Sequence, residues 1–195
     1  MNLAVLVSGR GSNLQAILEA GLPVRIVVSN NPAAQALEIA RDRAVETLVQ
    51  PKAGREERDA RLVEELRARD VGLIALAGYN QVLSGCVLEA FPNRIVNVHP
   101  SLLPAFAGGM APQPQRMALE YGVKVAGCTV HLVTAEVDAG PILAQASVPV
   151  LTDDTVESLS ERILQQEHRL FPDVLRQMLT HRLVLDGRRA TLLAR

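Results

Sequence analysis

Asn97 and His99 are the side chains of this sequence best placed to do chemistry, because they stand two positions apart at the end of an apolar run. The branched residues 95–98 predict a buried strand, in which alternate side chains share a face. Pro100 lacks a backbone N–H and ends the strand, so the amide and the imidazole lie at its carboxyl end. Open α/β sheets bind ligands at that edge. The two groups are suited to binding a carbonyl oxygen there.

Asp138 is the candidate carboxylate partner of His99. It precedes the Gly140-Pro141 pair, so a turn is able to aim it at the same crevice. On spacing alone, a plain turn-forming aspartate is the simpler interpretation. A carboxylate close to His99 would favour the imidazolium form, which donates from both ring nitrogens.

The other histidines and Glu167 are open to two interpretations each. His131 lies on a predicted strand and either supports the site or packs, and His168 lies in the middle of a predicted helix. Glu167 belongs either to a solvated helix face or to a site for a substrate amine, and His181 is predicted near a helix end at the surface. No histidine spacing resembles a metal site, so we expect no metal.

A glycine loop, residues 8–14 (SGRGSNL), joins the first predicted strand to the first helix. Ser12 or Asn13 is expected to cap that helix, whose free N–H groups would receive a phosphate. The dinucleotide fingerprint requires a glycine where Leu14 stands and an acidic residue about 20 positions on, and both are missing. A single phosphate is therefore the better interpretation than NAD, and an ordinary capped turn is the alternative.

Composition excludes several classes of protein. The 195 residues are 48% hydrophobic but only 3% aromatic, which predicts a core of Val, Leu, Ile and Ala. A net charge of −1 without a basic block does not favour a nucleic-acid partner. The apolar N-terminal run is too short for a membrane span. Cys86 and Cys128 are expected to be free thiols in a cytoplasmic protein.

Short apolar runs alternate with helical stretches, which predicts an α/β fold that is Rossmann-like and doubly wound, with a mostly parallel sheet and a mixed C-terminal half. Predicted strands are 2–8, 24–29, 47–50, 72–77, 95–98, 125–134 and 142–149, followed by a hairpin over 183–193. Predicted helices are 12–20, 34–43, 55–69, 82–90, 115–121 and 154–180. We expect one domain, 1–195.

The motifs, taken together and in order, resemble those of the folate-dependent phosphoribosylglycinamide formyltransferases of purine synthesis. They are VLVSGRGSNLQAI, VVSNNP, LAGYNQVLS, RIVNVHPSLLPAF, GCTVHLV, VDAGPIL and QQEHRLFP. The NVHPSLLP and VDAGPI pair is typical of the formyltransferase superfamily. The SGRGSNL loop and the QEHRLFP helix indicate the glycinamide ribonucleotide branch.

The resemblance implies that the amine of glycinamide ribonucleotide attacks the formyl carbon of 10-formyltetrahydrofolate, with Asn97 and protonated His99 stabilising the oxyanion. It implies the following roles, by motif: Asn97, His99 and Asp138 for catalysis; Gly11, Ser12 and Asn13 for the ribonucleotide phosphate; Glu167 for the glycinamide end; Arg55, Asn80, Gln81, Val82, Leu83 and Asn97 for the folate. It also implies a phosphate- and nucleotide-binding half (1–100) and a folate-binding and catalytic half (101–195), small-molecule partners only, and a monomer or homodimer.

Three departures from the family pattern change what is expected locally. Asn80-Gln81 replaces a common Met-Arg pair, so the pterin contacts there rest on the main chain. Residues 105–115 form a longer loop without the usual Pro-Gly-Leu-His run, and we assign it no ligand. Leu164 replaces a residue that reaches the phosphate in many relatives, so the glycine loop carries more of that binding.

Two other functions compete with this interpretation. A methionyl-tRNA formyltransferase or a formyltetrahydrofolate hydrolase would handle the same formyl group, but the first is expected to carry a basic C-terminal domain and the second an N-terminal regulatory domain. A nucleotide- or folate-binding module without activity would share the fold. The trio Asn97, His99 and Asp138 argues against the module.

Overall fold

Branched apolar runs and the helical segments between them build the first of two units, Met1–Asn97. The structure is a computed structural model that describes residues 1–194. In chain order the elements are β1 (Asn2–Val7), α1 (Ser12–Glu19), β2 (Val24–Ser29), α2 (Gln35–Asp42), β3 (Glu46–Val49), α3 (Arg55–Arg67), β4 (Val71–Leu76), α4 (Gly85–Ala90) and β5 (Ile95–His99), which runs into the second unit.

The strands of the first unit are all parallel, in the order β3-β2-β1-β4-β5. Leu3–Val7 of β1 are fully buried, as expected for a strand covered on both faces. The strand order reverses between β1 and β4, and ligands of doubly wound sheets bind beside that point at the carboxyl ends of the strands. The glycine loop follows β1 and residues 77–84 follow β4, so both segments lie at that edge.

The second unit starts at Val98 and contains mixed strand directions. Its elements are α5 (Gln113–Tyr121), β6 (Val125–Leu132), β7 (Ile142–Pro149), α6 (Val156–Thr180), β8 (Arg182–Asp186) and β9 (Arg189–Leu193). Antiparallel pairs join β6 to β7 and β8 to β9, while β7 and β9 pair in parallel. The predicted fold class is confirmed. Within residues 1–194, no helix combines the length and apolarity needed to cross a membrane.

Two local predictions differ from the structure. The helix predicted over 82–90 begins only at Gly85, because the buried carboxylate of Asp59 accepts the N–H of Ser84 (2.6 Å) and holds the residues before it out of the helix. The prediction that Ser12 or Asn13 caps α1 was wrong. Gly11 is the N-cap, with φ of 83°, and no side chain caps this helix.

Asp154 anchors the start of α6. Its carboxylate accepts hydrogen bonds from the Leu151 N–H, the Ser158 hydroxyl and both terminal guanidinium nitrogens of Arg162, each at 2.7 Å. The Arg162 hydrogen bonds are the main reason that the pKa of Asp154 is held well below its usual value of 3.8, although desolvation opposes them. The carboxylate form is therefore part of the fold.

Asp154→Asn is expected to lower the free energy of unfolding by about 1–2 kcal/mol at pH 7, because charge-assisted hydrogen bonds are lost at a solvent-screened site. Because the pKa of Asp154 is lower in the native protein than in the unfolded one, the ionised carboxylate stabilises the fold above about pH 4. This stabilisation is lost progressively as the pH falls below that value. Urea denaturation at pH 7 and pH 3 should thus show that the difference in the free energy of unfolding between wild type and variant is smaller at pH 3. Asp173→Asn, at an exposed pair with Arg176 in the same helix, is the control and should change little. An equal difference in the free energy of unfolding at both pH values would refute the stabilising role of ionised Asp154.

Candidate active site

His99 and Asp138 meet in the second unit. His99 Nδ1 lies 3.2 Å from Asp138 Oδ2, and both side chains are buried, with 4% and 9% of their surface exposed. Asp138 adopts a left-handed backbone conformation with φ of +53°, which aspartate tolerates better than most residues. The turn before Gly140-Pro141 therefore does aim the carboxylate at the imidazole. A turn-forming role for Asp138 alone does not account for this contact with His99.

The segment predicted as an unusual loop, residues 105–115, is a loop only as far as Pro112, since α5 begins at Gln113, and this loop contacts both members of the pair. The second ring nitrogen of His99, Nε2, lies 3.1 Å from the carbonyl oxygen of Phe106. The N–H of Gly108 donates to Asp138 Oδ2 at 2.8 Å. Ser101 fixes the start of the loop by donating its hydroxyl proton to the carbonyl of Ala105. Nothing in the sequence identified these contacts, because they depend on the backbone path of an irregular segment.

Both nitrogens of His99 face hydrogen-bond acceptors. A carbonyl oxygen on Nε2 and a carboxylate oxygen on Nδ1 can only accept, so each is best satisfied by an N–H. The neutral imidazole has one N–H and the imidazolium has two. Whichever ring nitrogen carries a proton, the surroundings of His99 therefore offer it an acceptor.

His131 flanks Asp138 on its other oxygen. Its Nε2 lies 3.6 Å from Asp138 Oδ1, and its Nδ1–H donates to the Leu132 carbonyl at 2.9 Å. Burial is the main reason that the pKa of His131 is lowered, despite the opposing effect of the Leu132 hydrogen bond and the Asp138 charge. His131 is therefore a neutral neighbour that fills the space beside Asp138. Its position agrees with packing beside Asp138, and a supporting role at the site stays a prediction.

Asn97 lies two residues before His99 on β5, so the two side chains are on the same face of this strand, as the sequence predicts. Asn97 is partly exposed, whereas His99 is buried. A partly exposed amide beside a buried imidazole is accessible to a ligand oxygen.

The glycine loop of the first unit brings Gly11 against α2. A Cβ on Gly11 would lie 2.7 Å from Ala36 Cβ, and its φ of +83° is costly for other residues. Glycine is thus required here by packing alone. The loop still ends in the N-terminus of α1, whose first N–H groups have no acceptor within the helix. Ser12 and Asn13 belong to that first turn.

Asn80 joins the glycine loop to the segment that follows β4. Its side-chain oxygen accepts from the hydroxyl of Ser8 (3.0 Å), the amide of Asn30 (2.8 Å) and the amide of Gln81 (3.2 Å). Its own N–H donates to Ser8 Oγ at 3.0 Å. The Asn80 side chain therefore binds within the protein, beside the reversal point of the sheet.

Arg55, Arg58 and Asp59 of α3 hold the rest of that segment. Arg55 donates to the Leu83 carbonyl at 2.6 Å. Arg58 donates to Gln81 Oε1 at 3.0 Å and to the Val82 carbonyl at 3.2 Å. Sequence reasoning singled out Arg55 and missed Arg58 and Asp59. Charged residues at the start of a helix are usually solvated, and nothing in the spacing marks these two as buried.

Glu167 is 7% exposed on α6, so it does not belong to a solvated helix face. Burial, followed by the charge of Glu167, raises the pKa of the Cys128 thiol to about 12. Cys128 is buried and free, as predicted, and Cys86 is also free. A thiol with this pKa is inert as a nucleophile near neutral pH. No group of three or more His, Cys, Asp or Glu residues within positions 1–194 is arranged to hold a metal ion.

Comparisons with known proteins place this chain in a family. A model described as "Formyl transferase" matches residues 1–175. The phosphoribosylglycinamide formyltransferase of Escherichia coli (strain K12) is 38% identical over 184 residues, which cover 90% of this chain and 85% of that protein. The trifunctional purine biosynthetic protein adenosine-3 of Drosophila melanogaster is 44% identical over 184 residues, and the match covers 89% of this chain but only 13% of that longer protein.

Among solved structures, glycinamide ribonucleotide transformylase 1 from Symbiobacterium toebii matches with a TM-score of 0.93 and 51% sequence identity, covering 99% of this chain and 94% of that one. Both the sequence and the fold are therefore shared along almost the whole length. The chain belongs to the formyl transferase family and, within it, to the phosphoribosylglycinamide formyltransferases.

Proposed function

We propose that this chain transfers the formyl group of 10-formyltetrahydrofolate to the amine of N1-(5-phospho-D-ribosyl)glycinamide, a step of purine synthesis. The observation that carries the proposal is the buried contact between His99 and Asp138, at 3.2 Å. His99 stands two residues after Asn97 on the same strand. This arrangement suits attack on a carbonyl. The relatives named for glycinamide ribonucleotide formyl transfer add support for the substrate pair.

The chemistry requires stabilisation of negative charge on the formyl oxygen. The substrate amine forms a bond to the formyl carbon, and the carbonyl π electrons move to oxygen. The tetrahedral intermediate then collapses and breaks the bond between the formyl carbon and the folate nitrogen, which takes up the proton that the amine releases. Asn97 and protonated His99 donate to the oxyanion, while Asp138 orients the imidazole. For this, the formyl oxygen must replace the Phe106 carbonyl as the acceptor of His99 Nε2–H.

Binding residues complete the proposal. The N-terminus of α1 with Gly11, Ser12 and Asn13 binds the phosphate, since its first N–H groups and the helix dipole favour an anion. Buried Glu167 binds the glycinamide end of the substrate through its charge.

The folate contacts are assigned to the segment after β4. The main chain of Asn80, Gln81, Val82 and Leu83 lines the pterin site, with Asn97 also contacting the formyl donor. Main-chain recognition fits the structure, because the Asn80 side chain is engaged by Ser8 and Asn30. The guanidinium of Arg55 is positioned against Leu83 and supports the same site.

These assignments divide the roles between the two units differently from the halves expected from sequence. The proposed phosphate and folate segments both belong to Met1–Asn97, and the catalytic histidine and aspartate belong to the second unit. Monomer or homodimer, small-molecule partners and a cytoplasmic location remain part of the proposal. Free thiols at Cys86 and Cys128 support the location.

The test is an absorbance assay of folate product with purified protein, with and without glycinamide ribonucleotide. Product that depends on the nucleotide, with formation of the N-formyl ribonucleotide confirmed by mass spectrometry, is the expected result. Equal product without the nucleotide would indicate a hydrolase. Absence of product in both would favour a binding module.

Asp138→Asn is expected to lower kcat by about 10²–10⁴-fold, because the amide neither balances the imidazolium charge nor accepts from both Gly108 and His99 in the same way. Stopped-flow measurement at saturating substrates isolates this effect from binding. Asp186→Asn, at the distant β8–β9 turn, is the matched control and should retain full activity. A kcat within threefold of wild type would remove Asp138 from the mechanism.

A further inference from the structure

The segment Gln81–Ser84 is a strip of backbone in which Gln81 and Val82 are exposed and Leu83 and Ser84 are buried, and a buried ion pair holds it in place. Val82 is 52% exposed, so the apolar tip of the segment faces outward. Arg58 is 7% exposed and Asp59 is fully buried, and their side chains bond at 2.7 Å (Arg58 Nε to Asp59 Oδ1). A buried pair of opposite charges at the first turns of a helix is expensive unless its remaining hydrogen-bonding groups are satisfied.

The remaining groups of this pair are satisfied largely by the segment itself. The two terminal nitrogens of Arg58 donate to the Gln81 side-chain oxygen (3.0 Å) and to the Val82 carbonyl (3.2 Å). The second carboxylate oxygen of Asp59 accepts the N–H of Ser84 at 2.6 Å. The Arg58–Asp59 pair thus hydrogen-bonds to three groups of the strip. One is the Gln81 side chain, and two are main-chain groups, the Val82 carbonyl and the Ser84 N–H.

The strip also connects toward the glycine loop. The Gln81 amide donates to Asn80 Oδ1, which accepts from Ser8 at the end of β1. Arg58 therefore stands in a continuous series of hydrogen bonds that runs from Ser8 through Asn80 and Gln81 to Asp59. Such a series leaves the strip few alternative conformations, because moving one member breaks contacts at the next.

We propose that Arg58 and Asp59 are positioning residues that fix the main chain of Gln81–Ser84 in the shape that binds the formyl donor. The proposal deepens the folate assignment made above and rests on it. Neither residue is assigned a contact with the reacting atoms. Preorganised main chain binds a ligand without first losing conformational entropy, so loss of the ion pair should weaken donor binding and leave the chemical step nearly unchanged.

Arg58→Met is the variant that removes the donors, and Arg69→Met is its matched control. Arg69 follows the same helix and is likewise held by carboxylates, those of Glu46 and Glu65, so the control removes a comparable ion pair from the same unit. Arg58→Met is expected to raise KM for 10-formyltetrahydrofolate by about tenfold, while kcat and KM for the ribonucleotide stay within about threefold of wild type. Arg69→Met should leave all three near wild type.

A more conservative substitution at Arg58 keeps the test decisive if Arg58→Met does not fold. Arg58→Lys keeps the charge beside Asp59 but loses the fork that reaches Gln81 and Val82 together, so KM for the donor should rise about threefold. Hydrogen exchange gives a readout independent of activity. The amide of Ser84 should exchange at least about tenfold faster in Arg58→Met than in Arg69→Met, because its acceptor is no longer held in place.

The outcomes separate the two proposals. An active wild type with unchanged donor KM in both Arg58 variants overturns the positioning role alone. Equal rises in both KM values, or a fall in kcat as large as the rise in donor KM, also overturn it, since they indicate general disruption. A wild type that transfers no formyl group refutes the proposed function, and the folate-directed inference with it.

Discussion

His99→Asn is expected to lower kcat for formyl transfer by about 10²–10⁴-fold. Asparagine retains one donor but cannot carry a positive charge or contact the Phe106 carbonyl and Asp138 at the same time. Because the lost interaction is made to the oxyanion and not to the ground state, KM should change little. Single-turnover kinetics with both substrates saturating measure the chemical step directly.

His181→Asn is the matched control, since it makes the same substitution at a residue that follows α6 and bonds to Thr180. It should retain wild-type kcat. The account would be contradicted if His99→Asn kept more than a tenth of wild-type turnover, or if its loss appeared only in KM. The second outcome would mean that His99 binds substrate without stabilising the transition state.

Gly140→Ala is expected to lower the free energy of unfolding by at least about 4 kcal/mol, an exceptional loss for one methyl group. The added Cβ would lie 1.7 Å from the Leu132 carbonyl oxygen and 2.8 Å from its carbonyl carbon, both backbone atoms of β6. Backbone cannot rotate away as a flexible side chain can, so the turn that carries Asp138 must shift. Thermal denaturation should show a decrease in Tm of about 8 °C or more.

A glycine with open surroundings provides the comparison. At Gly85, the first residue of α4, an added Cβ meets only Glu89 Oε1, at 3.9 Å, which is an ordinary contact. Gly85→Ala should leave stability unchanged or slightly raised. Similar Tm values for the two alanine variants would show that the β6 backbone adapts and that Gly140 is not required. Where enough folded Gly140→Ala is recovered, its kcat should also fall because Asp138 is displaced.

The order of strands and helices follows closely from local pattern. Apolar runs such as residues 26–28 are buried because a parallel sheet covered on both faces admits few polar side chains. The predicted ends of helices and strands differ from the observed ends where tertiary hydrogen bonds override local propensity. One example is the start of α4, where the N–H of Ser84 donates to the carboxylate of Asp59. The Gly11 cap was missed because serine and asparagine are the commoner cap residues, and the close approach of Ala36 is not visible in the sequence.

The contact between His99 and Asp138 was predictable in part. His99 stands at the end of an apolar strand, and the Gly140-Pro141 turn marked Asp138. The resemblance to a known family favoured a catalytic role for Asp138 over that of a turn residue, and this role stays a prediction. The contacts of His131, Phe106 and Gly108 with the pair depend on side-chain burial and loop geometry, which a linear pattern does not encode.

The Arg58–Asp59 pair illustrates a different limit. The sequence REERD reads as a polar helix start, typical of a solvated surface. Its burial arises because the segment after β4 folds over these two residues and provides carbonyl and N–H partners. A main-chain segment held by a buried ion pair is a feature that only coordinates reveal, and this segment includes Gln81 of the Asn80-Gln81 pair, one of the departures from the family pattern.

A double-mutant cycle between His99→Asn and Asp138→Asn tests most directly whether imidazole and carboxylate act as one unit. If they do, the double variant should have nearly the same kcat as His99→Asn alone, because the carboxylate acts only through the ring that is no longer present. Losses that multiply, so that the double variant is slower by the product of the two single effects, would show independent roles and contradict the mechanism proposed for this site.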